Sequence, residues 1–584
     1  MYRFILLLSV FFPFCLCGNT GCDKHDSETV LKTAGRFDLS TDKARYAPGE
    51  SVRFTCSADP GKGLFVRYRH LAETVGEEPL TAAAWTWNPP TGDFKGYLVE
   101  VVSRQSGRES VVASTAVDVS SDWTRFPRYG FLSAYGAIGL KEVRKVIENL
   151  NRHHINGLQF YDWLAAHHRP LAGSAERPAA EWPDLMNRPT YRLTTDNYLS
   201  EARARGMKTM FYDLCYGALE NAEEEGVDAS WYLFTDPSHT NRDKHQLPAS
   251  FRSSIYLVNP ARAEWTDYLC ANIGELYQVY GFDGYHIDQL GARSTLYDYD
   301  GATVDLPAGF RTFLERVGAK FPDKAHVFNA VGGYGQEQIA ASGAAAFLYN
   351  EVWQEQSEYS HLKEIIDRNN ALSEGRLNTV LAAYVNYDLS STPGGMFNTP
   401  GVLTTDAVIF ALGGAHLELG EHMLCNEYFP NRNLSMDRTL QQELVSYYDF
   451  AVAYENLLRD GGAFNTVDLQ EVGGMVSVQA WPPVKGSVSA LGRKVGNRQV
   501  IHLHNFANAS HLSWRDLAGD QNEPPLLTDL GFRISVEGPV RKVWCATPDS
   551  CGEMFREIAF RQEGSTIHIT LPWLKYWSMV VIEY

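Results

Sequence analysis

Alternation of apolar and polar positions is the first clear signal in the chain. Val52, Phe54 and Cys56 alternate with Ser51, Arg53 and Thr55, the period-2 pattern of a half-buried strand. Ala47-Pro48-Gly49-Glu50 marks a turn just ahead of it. Short strand-like runs follow at 64–68, 97–102 and 114–119, with turn residues about every dozen positions. This pattern predicts an immunoglobulin-like β-sandwich over residues 35–125.

Near Arg125 the pattern changes. Apolar strand-like runs at 130–135, 156–163, 207–215, 284–288, 326–331, 346–353, 379–386 and 415–421 alternate with helical stripes. Val143, Val146, Ile147 and Leu150 form one such stripe; Leu440, Leu444, Tyr447, Ala451, Tyr454 and Leu458 form the last. Eight strand–helix units predict a (β/α)8 barrel over residues 126–462. After Phe464 the chain returns to strand-like runs around Val500, Leu503 and Phe506, then at 566–571 and 578–584. They predict a C-terminal β-sandwich over residues 463–584. The fold class expected is multidomain α/β plus β, with the barrel between two sandwiches.

The start of the chain reads differently. Met1-Tyr2-Arg3 precedes an apolar run from Phe4 to Cys17, too short to span a bilayer and typical of a signal peptide. Asn19-Thr20-Gly21-Cys22 resembles a bacterial lipoprotein processing site. Residues 1–21 are therefore expected to be a leader and Cys22 a lipidation site, an ordinary cleaved signal peptide being the plainer reading. An exported protein is expected, anchored at the cell surface or in the periplasm, or otherwise secreted. Export would also permit a small disulfide loop between Cys545 and Cys551. The formal net charge of −18 argues against a nucleic-acid partner. Aromatic residues make up 12% of the chain, a composition that suits a ring-shaped neutral substrate such as a sugar.

In a (β/α)8 barrel, catalytic side chains stand at the C-terminal ends of the strands. Five of the predicted strands run into carboxylates. The second ends Tyr161-Asp162-Trp163, the third Tyr212-Asp213 and the fourth His286-Ile287-Asp288-Gln289. The sixth ends Tyr349-Asn350-Glu351-Val352-Trp353, and the eighth carries Glu418 and Glu421. One such acid is ordinarily a solvated loop residue. Five, several beside aromatics, match the needs of a glycosidase, in which two acids perform the bond chemistry and others hold hydroxyls. Asp283 lies at the start of the fourth strand and reads as structural. Gly284, His286 and Asp288 share one strand face, as do Phe347, Tyr349 and Glu351. Burial beside Tyr349 and Trp353 would raise the Glu351 pKa and suit it as a general acid. A polar setting would keep Asp288 ionised as a nucleophile.

At these residues the sequence resembles glycoside hydrolase family 66, the endo-dextranases and cyclic isomaltooligosaccharide glucanotransferases. The resemblance rests on Gln159-Phe160-Tyr161-Asp162-Trp163 followed by His167 and Pro170, and on Gly281-Phe282-Asp283-Gly284 leading to Asp288. Tyr349-Asn350-Glu351-Val352-Trp353, and Leu417-Glu418-Leu419-Gly420-Glu421 followed by Glu427-Tyr428-Phe429-Pro430, complete it. It implies a retaining mechanism on α-1,6-linked glucan, with Asp288 as nucleophile and Glu351 as acid/base. It also implies substrate contacts at Tyr161, Asp162, Asp213, His286, Gln289, Asn350 and Glu418, with Trp353 as a further cleft aromatic. The family's cyclising members carry a carbohydrate-binding module inserted late in the barrel. The stretch from Glu351 to Glu418 is too short to hold one.

The expected activity is therefore endo-hydrolysis of dextran to isomaltooligosaccharides. The alternatives are a cyclising glucanotransferase or a non-catalytic surface glycan-binding lipoprotein. No metal or organic cofactor is expected. The expected partners are α-1,6-glucan and isomaltooligosaccharides, with a membrane touched only through a lipid anchor, and the chain is expected to be a monomer.

Overall fold

Eight parallel strands form the central sheet of the computed structural model, which describes residues 37–584 apart from Lys62 and Ser106. The expected leader and Cys22 lie outside the described residues. In chain order the strands are Tyr129–Leu132, Gly157–Phe160, Lys208–Leu214, Gly284–Asp288, Ala325–Val331, Leu348–Val352, Thr379–Ala383 and Ala415–His416. Each pairs in parallel with the next in sequence, which requires the chain to return between strands through crossover segments. Helices supply them, among them Leu140–Arg152, Ala263–Tyr280, Leu306–Lys320 and Thr399–Ala411.

The barrel nearly closes. The first strand meets the segment after the eighth through Phe131 N–H donating to the Leu419 carbonyl at 3.0 Å. That approach requires small residues. A Cβ at Gly420 would lie 2.5 Å from the Phe131 carbonyl oxygen, and one at Gly130 2.8 Å from that of Leu419. The eighth strand, Ala415–His416, is shorter than the apolar run predicted, although Leu417 N still donates to the Leu381 carbonyl at 2.8 Å.

Period-2 alternation assigns the two faces. Tyr129, Phe131, Met210, Val327, Phe347, Tyr349, Val380, Ala382, Ala415 and Leu417 fill the barrel interior. Their neighbours, including Phe160, Phe211, Tyr285, Ile287, Phe328 and Leu381, face the helices. Trp123, in a short turn at the base, packs against Gly157 and edge-on to Phe347. Asp283 is also at the base, accepting from Lys208 Nζ at 2.8 Å and Thr209 N at 3.0 Å.

Two sheets of three and four strands precede the barrel and share a core that includes Val52, Phe54, Val66, Tyr68, Val99 and Val117. Two further sheets follow it around Val488, Ile501, Leu503, Phe532, Ile567 and Val580. Cys545 and Cys551 do not pair: both are free thiols. Cys545 faces the core of these last sheets, whereas Cys551 lies in an exposed turn.

Candidate active site

A cavity of about 390 Å³ opens at the C-terminal ends of the strands. Asp288 and Glu351 face each other across it, each the last inward-pointing residue of its strand.

Both are half-buried in a network of neutral donors. Asp288 Oδ2 accepts from the Tyr212 hydroxyl at 2.7 Å. Its Oδ1 accepts from Gln289 N and from Asn329 Nδ2, both at 2.8 Å. Glu351 Oε1 accepts from the Tyr384 hydroxyl at 2.9 Å and Oε2 from Asn329 Nδ2 at 2.9 Å. Burial pushes the Glu351 carboxyl up to about 7, and the charge of Asp288 pushes the same way. Burial also raises Asp288, but its three donors favour the ionised form and oppose the rise. Burial thus raises both carboxyl groups, and the hydrogen bonds to each oppose the rise.

Aromatic and polar groups surround the pair. His286 lies below Asp288, its Nδ1 at 3.2 Å from the Tyr129 hydroxyl and its ring edge-on to Tyr349. Burial lowers its pKa to about 3, so it stays neutral. Tyr161 stacks on Phe429 with ring centroids 4.2 Å apart. Asp162 lines the cavity at a left-handed φ of 43°, backbone strain of the kind that concentrates at functional sites. Burial lifts its pKa to about 7, opposed by Arg188. Gln289 and Trp353 complete the expected residues in the lining.

Three expected contacts stand elsewhere, for one reason. Asp213 and Asn350 occupy outward-facing positions of their strands and Glu418 lies two residues past the eighth, each next to an inward residue. Asp213 is fully buried behind the wall and holds His167, which does line the cavity, through Nδ1 at 2.7 Å. Burial raises the Asp213 acid and lowers the His167 base, so the pair is kept neutral. Asn350 is tied to Gln336 at 3.2 Å and to Asn369 at 2.7 Å, between strand and helices. Glu418 lies beside Tyr448 Oη at 2.9 Å and His416 Nδ1 at 3.3 Å. Burial raises its pKa to about 8.

Other lining residues are absent from the sequence expectations as site residues: Asn329, Tyr212, Tyr384 and Glu427. Asn329 and Tyr212 are inward positions near strand ends, and Tyr384 lies just past one. The alternation that located Asp288 and Glu351 applies equally to these strands, which end without an inward acid. Among the described residues, two groups bring three potential metal-ligand atoms together: Asp406, His416 and Glu418, and His511, Asp516 and Asp520. In both, the histidine already bonds an aspartate, at 2.7 Å for His416 with Asp406 and 3.2 Å for His511 with Asp516. Neither group lines the cavity.

The chain is similar in sequence, and in one case in structure, to known proteins. A cycloisomaltooligosaccharide glucanotransferase of Niallia circulans is 26% identical over 93% of this chain and 71% of its own length. A dextranase of Streptococcus salivarius is 22% identical over 88% of this chain and 72% of its own. The crystal structure of a Paenibacillus sp. cycloisomaltooligosaccharide glucanotransferase complexed with cycloisomaltoheptaose matches with a TM-score of 0.84 at 26% identity. The match covers 94% of this chain and 99% of that one. The glycosyl hydrolase family 66 model spans residues 41–581, and the chain belongs to that family.

Proposed function

We propose that this chain cleaves and re-forms α-1,6-glucosidic bonds through a covalent glycosyl-enzyme, with Asp288 as nucleophile and Glu351 as acid/base. One observation carries the reading: two half-buried carboxyl groups meet on a single amide nitrogen at 2.8 and 2.9 Å. Two N–H bonds diverging at roughly 120° set those oxygens about 5 Å apart, the separation of a retaining pair.

Asp288 Oδ1 already accepts two hydrogen bonds, while Oδ2 accepts one from Tyr212. Oδ2 is therefore the oxygen with an electron pair free to attack C1 of a glucosyl unit. As that bond forms, the C1–O6 bond breaks and Glu351 gives its proton to the leaving oxygen. In the second step Glu351 takes a proton from an acceptor hydroxyl, whose oxygen attacks C1 and releases Asp288.

The relatives support a sugar hydroxyl as acceptor. Two of them are named as cycloisomaltooligosaccharide glucanotransferases, one complexed with a cyclic isomaltooligosaccharide. When the acceptor is the far end of the same chain, the product is cyclic. Water is the second reading. It is favoured by the short stretch between Glu351 and Glu418, and a dextranase stands among the relatives.

Chromatography of dextran digests over time distinguishes the two. Cyclic isomaltooligosaccharides are expected as a principal product, and linear ones alone would establish hydrolysis. Asp288→Asn and Glu351→Gln should each abolish turnover with the fold intact. A substrate with a good leaving group should partly restore glycosylation in Glu351→Gln, because departure then needs no proton. Near-normal dextran turnover by either variant would overturn the assignment.

A further inference from the structure

We propose that Asn329 is the positioning residue that sets the spacing and the division of labour of the acid pair. The inference rests on the assignment of Asp288 and Glu351 above and adds how the fold holds them. The fifth strand lies between the fourth and the sixth, pairing Ile287 with Phe328 on one side and Asn329 with Tyr349 on the other. Its inward residue at the rim is therefore placed between the two acids. The side-chain NH2 faces both carboxyl groups, and its two hydrogens serve one acid each. The backbone carbonyl of Asn329 accepts from Gln289 Nε2 at 3.3 Å, which ties the amide to the segment that follows Asp288.

The choice of a neutral donor has a chemical reason. A lysine or arginine at this position would stabilise both carboxylates as anions and remove the proton that Glu351 must deliver. An aspartate would add a third negative charge and offer no donor pair. An amide holds both oxygens without adding charge. It also helps saturate Asp288 Oδ1, leaving Oδ2 as the attacking atom.

The test compares Asn329→Ala and Asn329→Asp with the unaltered chain, measuring kcat, KM and the pH dependence of kcat/KM on a soluble isomaltooligosaccharide. A fall in kcat of about 100-fold with little change in KM is expected, as when one preorganised donor is lost. Each carboxyl loses a hydrogen bond that had favoured its ionised form. Both limbs of the bell should therefore move to higher pH. The other titratable groups facing the pair are Tyr161 and Asp162 after the second strand, Tyr212 on the third, and His286 on the fourth. Tyr349 on the sixth strand, Tyr384 past the seventh, Glu427 and Tyr428 after the eighth, and His167 and His245 on loops also line the cavity. All remain in the variants, so the comparison isolates Asn329.

A merely structural role would lower the height of the bell without moving it, and that result would overturn the proposal. So would a kcat and pH profile close to those of the unaltered chain, while Asp288→Asn and Glu351→Gln remain inactive. If those two variants stay active, the underlying assignment falls instead. Thermal melting of the Asn329 variants shows whether they are folded.

Discussion

A carboxyl group that must keep its proton near neutral pH works against the fold once it ionises. Burial holds Glu351 at about 7 against an ordinary 4.5. The folded state therefore binds the proton more tightly than the unfolded state between those values. Its contribution to stability is full below about pH 4.5 and declines as pH rises through 7. Glu351→Gln removes that liability. The variant should gain about 3 kcal/mol over the unaltered chain at pH 8, with the gain vanishing near pH 4.5. Urea denaturation at the two pH values measures this, and an equal difference at both would contradict a raised pKa. Asp288 and Glu351 were legible as residues because each ends an inward stripe shared with His286 or Tyr349. Asp213, Asn350 and Glu418, the contacts implied by the family resemblance, do not line the cavity, and a carboxylate or amide near a strand end looks the same in sequence on either face. Their parity relative to Tyr212, Glu351 and Leu417 is what separates them.

At the scale of elements, eight strands and their crossover helices followed from apolar runs and helical stripes, since both signals are local. The seam did not. Gly130 and Gly420 read as ordinary glycines until the first and last strands are brought together. Gly420→Ala places a methyl group 2.5 Å from the Phe131 carbonyl oxygen and 2.7 Å from the Phe131 ring. Neither the backbone nor a ring packed in the barrel interior can yield freely. Overpacking of this kind should destabilise the chain by about 2–3 kcal/mol, read as a lower melting temperature. An unchanged melting temperature would mean that the seam relaxes at no expense.

At the scale of the whole molecule, the flanking sheets hold the barrel through buried polar contacts. Arg128, 3% exposed, precedes the first barrel strand. Its guanidinium reaches Asp118 of the N-terminal sheets at 2.6 Å and Glu455, the first residue of the short helix Glu455–Leu458, at 3.4 Å. Arg128→Met would leave Asp118 buried without its cation. A loss of about 3–5 kcal/mol is expected, measurable by urea denaturation, and a loss below 1 kcal/mol would show that the acids take up protons instead. The C-terminal region is linked to the cavity rim indirectly, through Tyr387. The Arg515 carbonyl accepts from Asn386 N at 2.8 Å, and its guanidinium lies over Tyr387. The Tyr387 hydroxyl in turn donates to Glu427 at 2.9 Å, at the rim of the cavity.

The sequence by itself determined the repeated strand–helix unit, the parity of side chains within each strand and the two acids that crown inward stripes. These are short-range properties, written in spacings of two to four residues. Only the tertiary structure decided which strands are neighbours, and so that Asn329 stands between Asp288 and Glu351. It also decided that an acid one position off the inward face becomes a buried support behind the wall. Curvature and near-closure of the sheet are set by contacts between the first and last strands. No local pattern records a contact between residues almost three hundred positions apart, as Phe131 and Leu419 are.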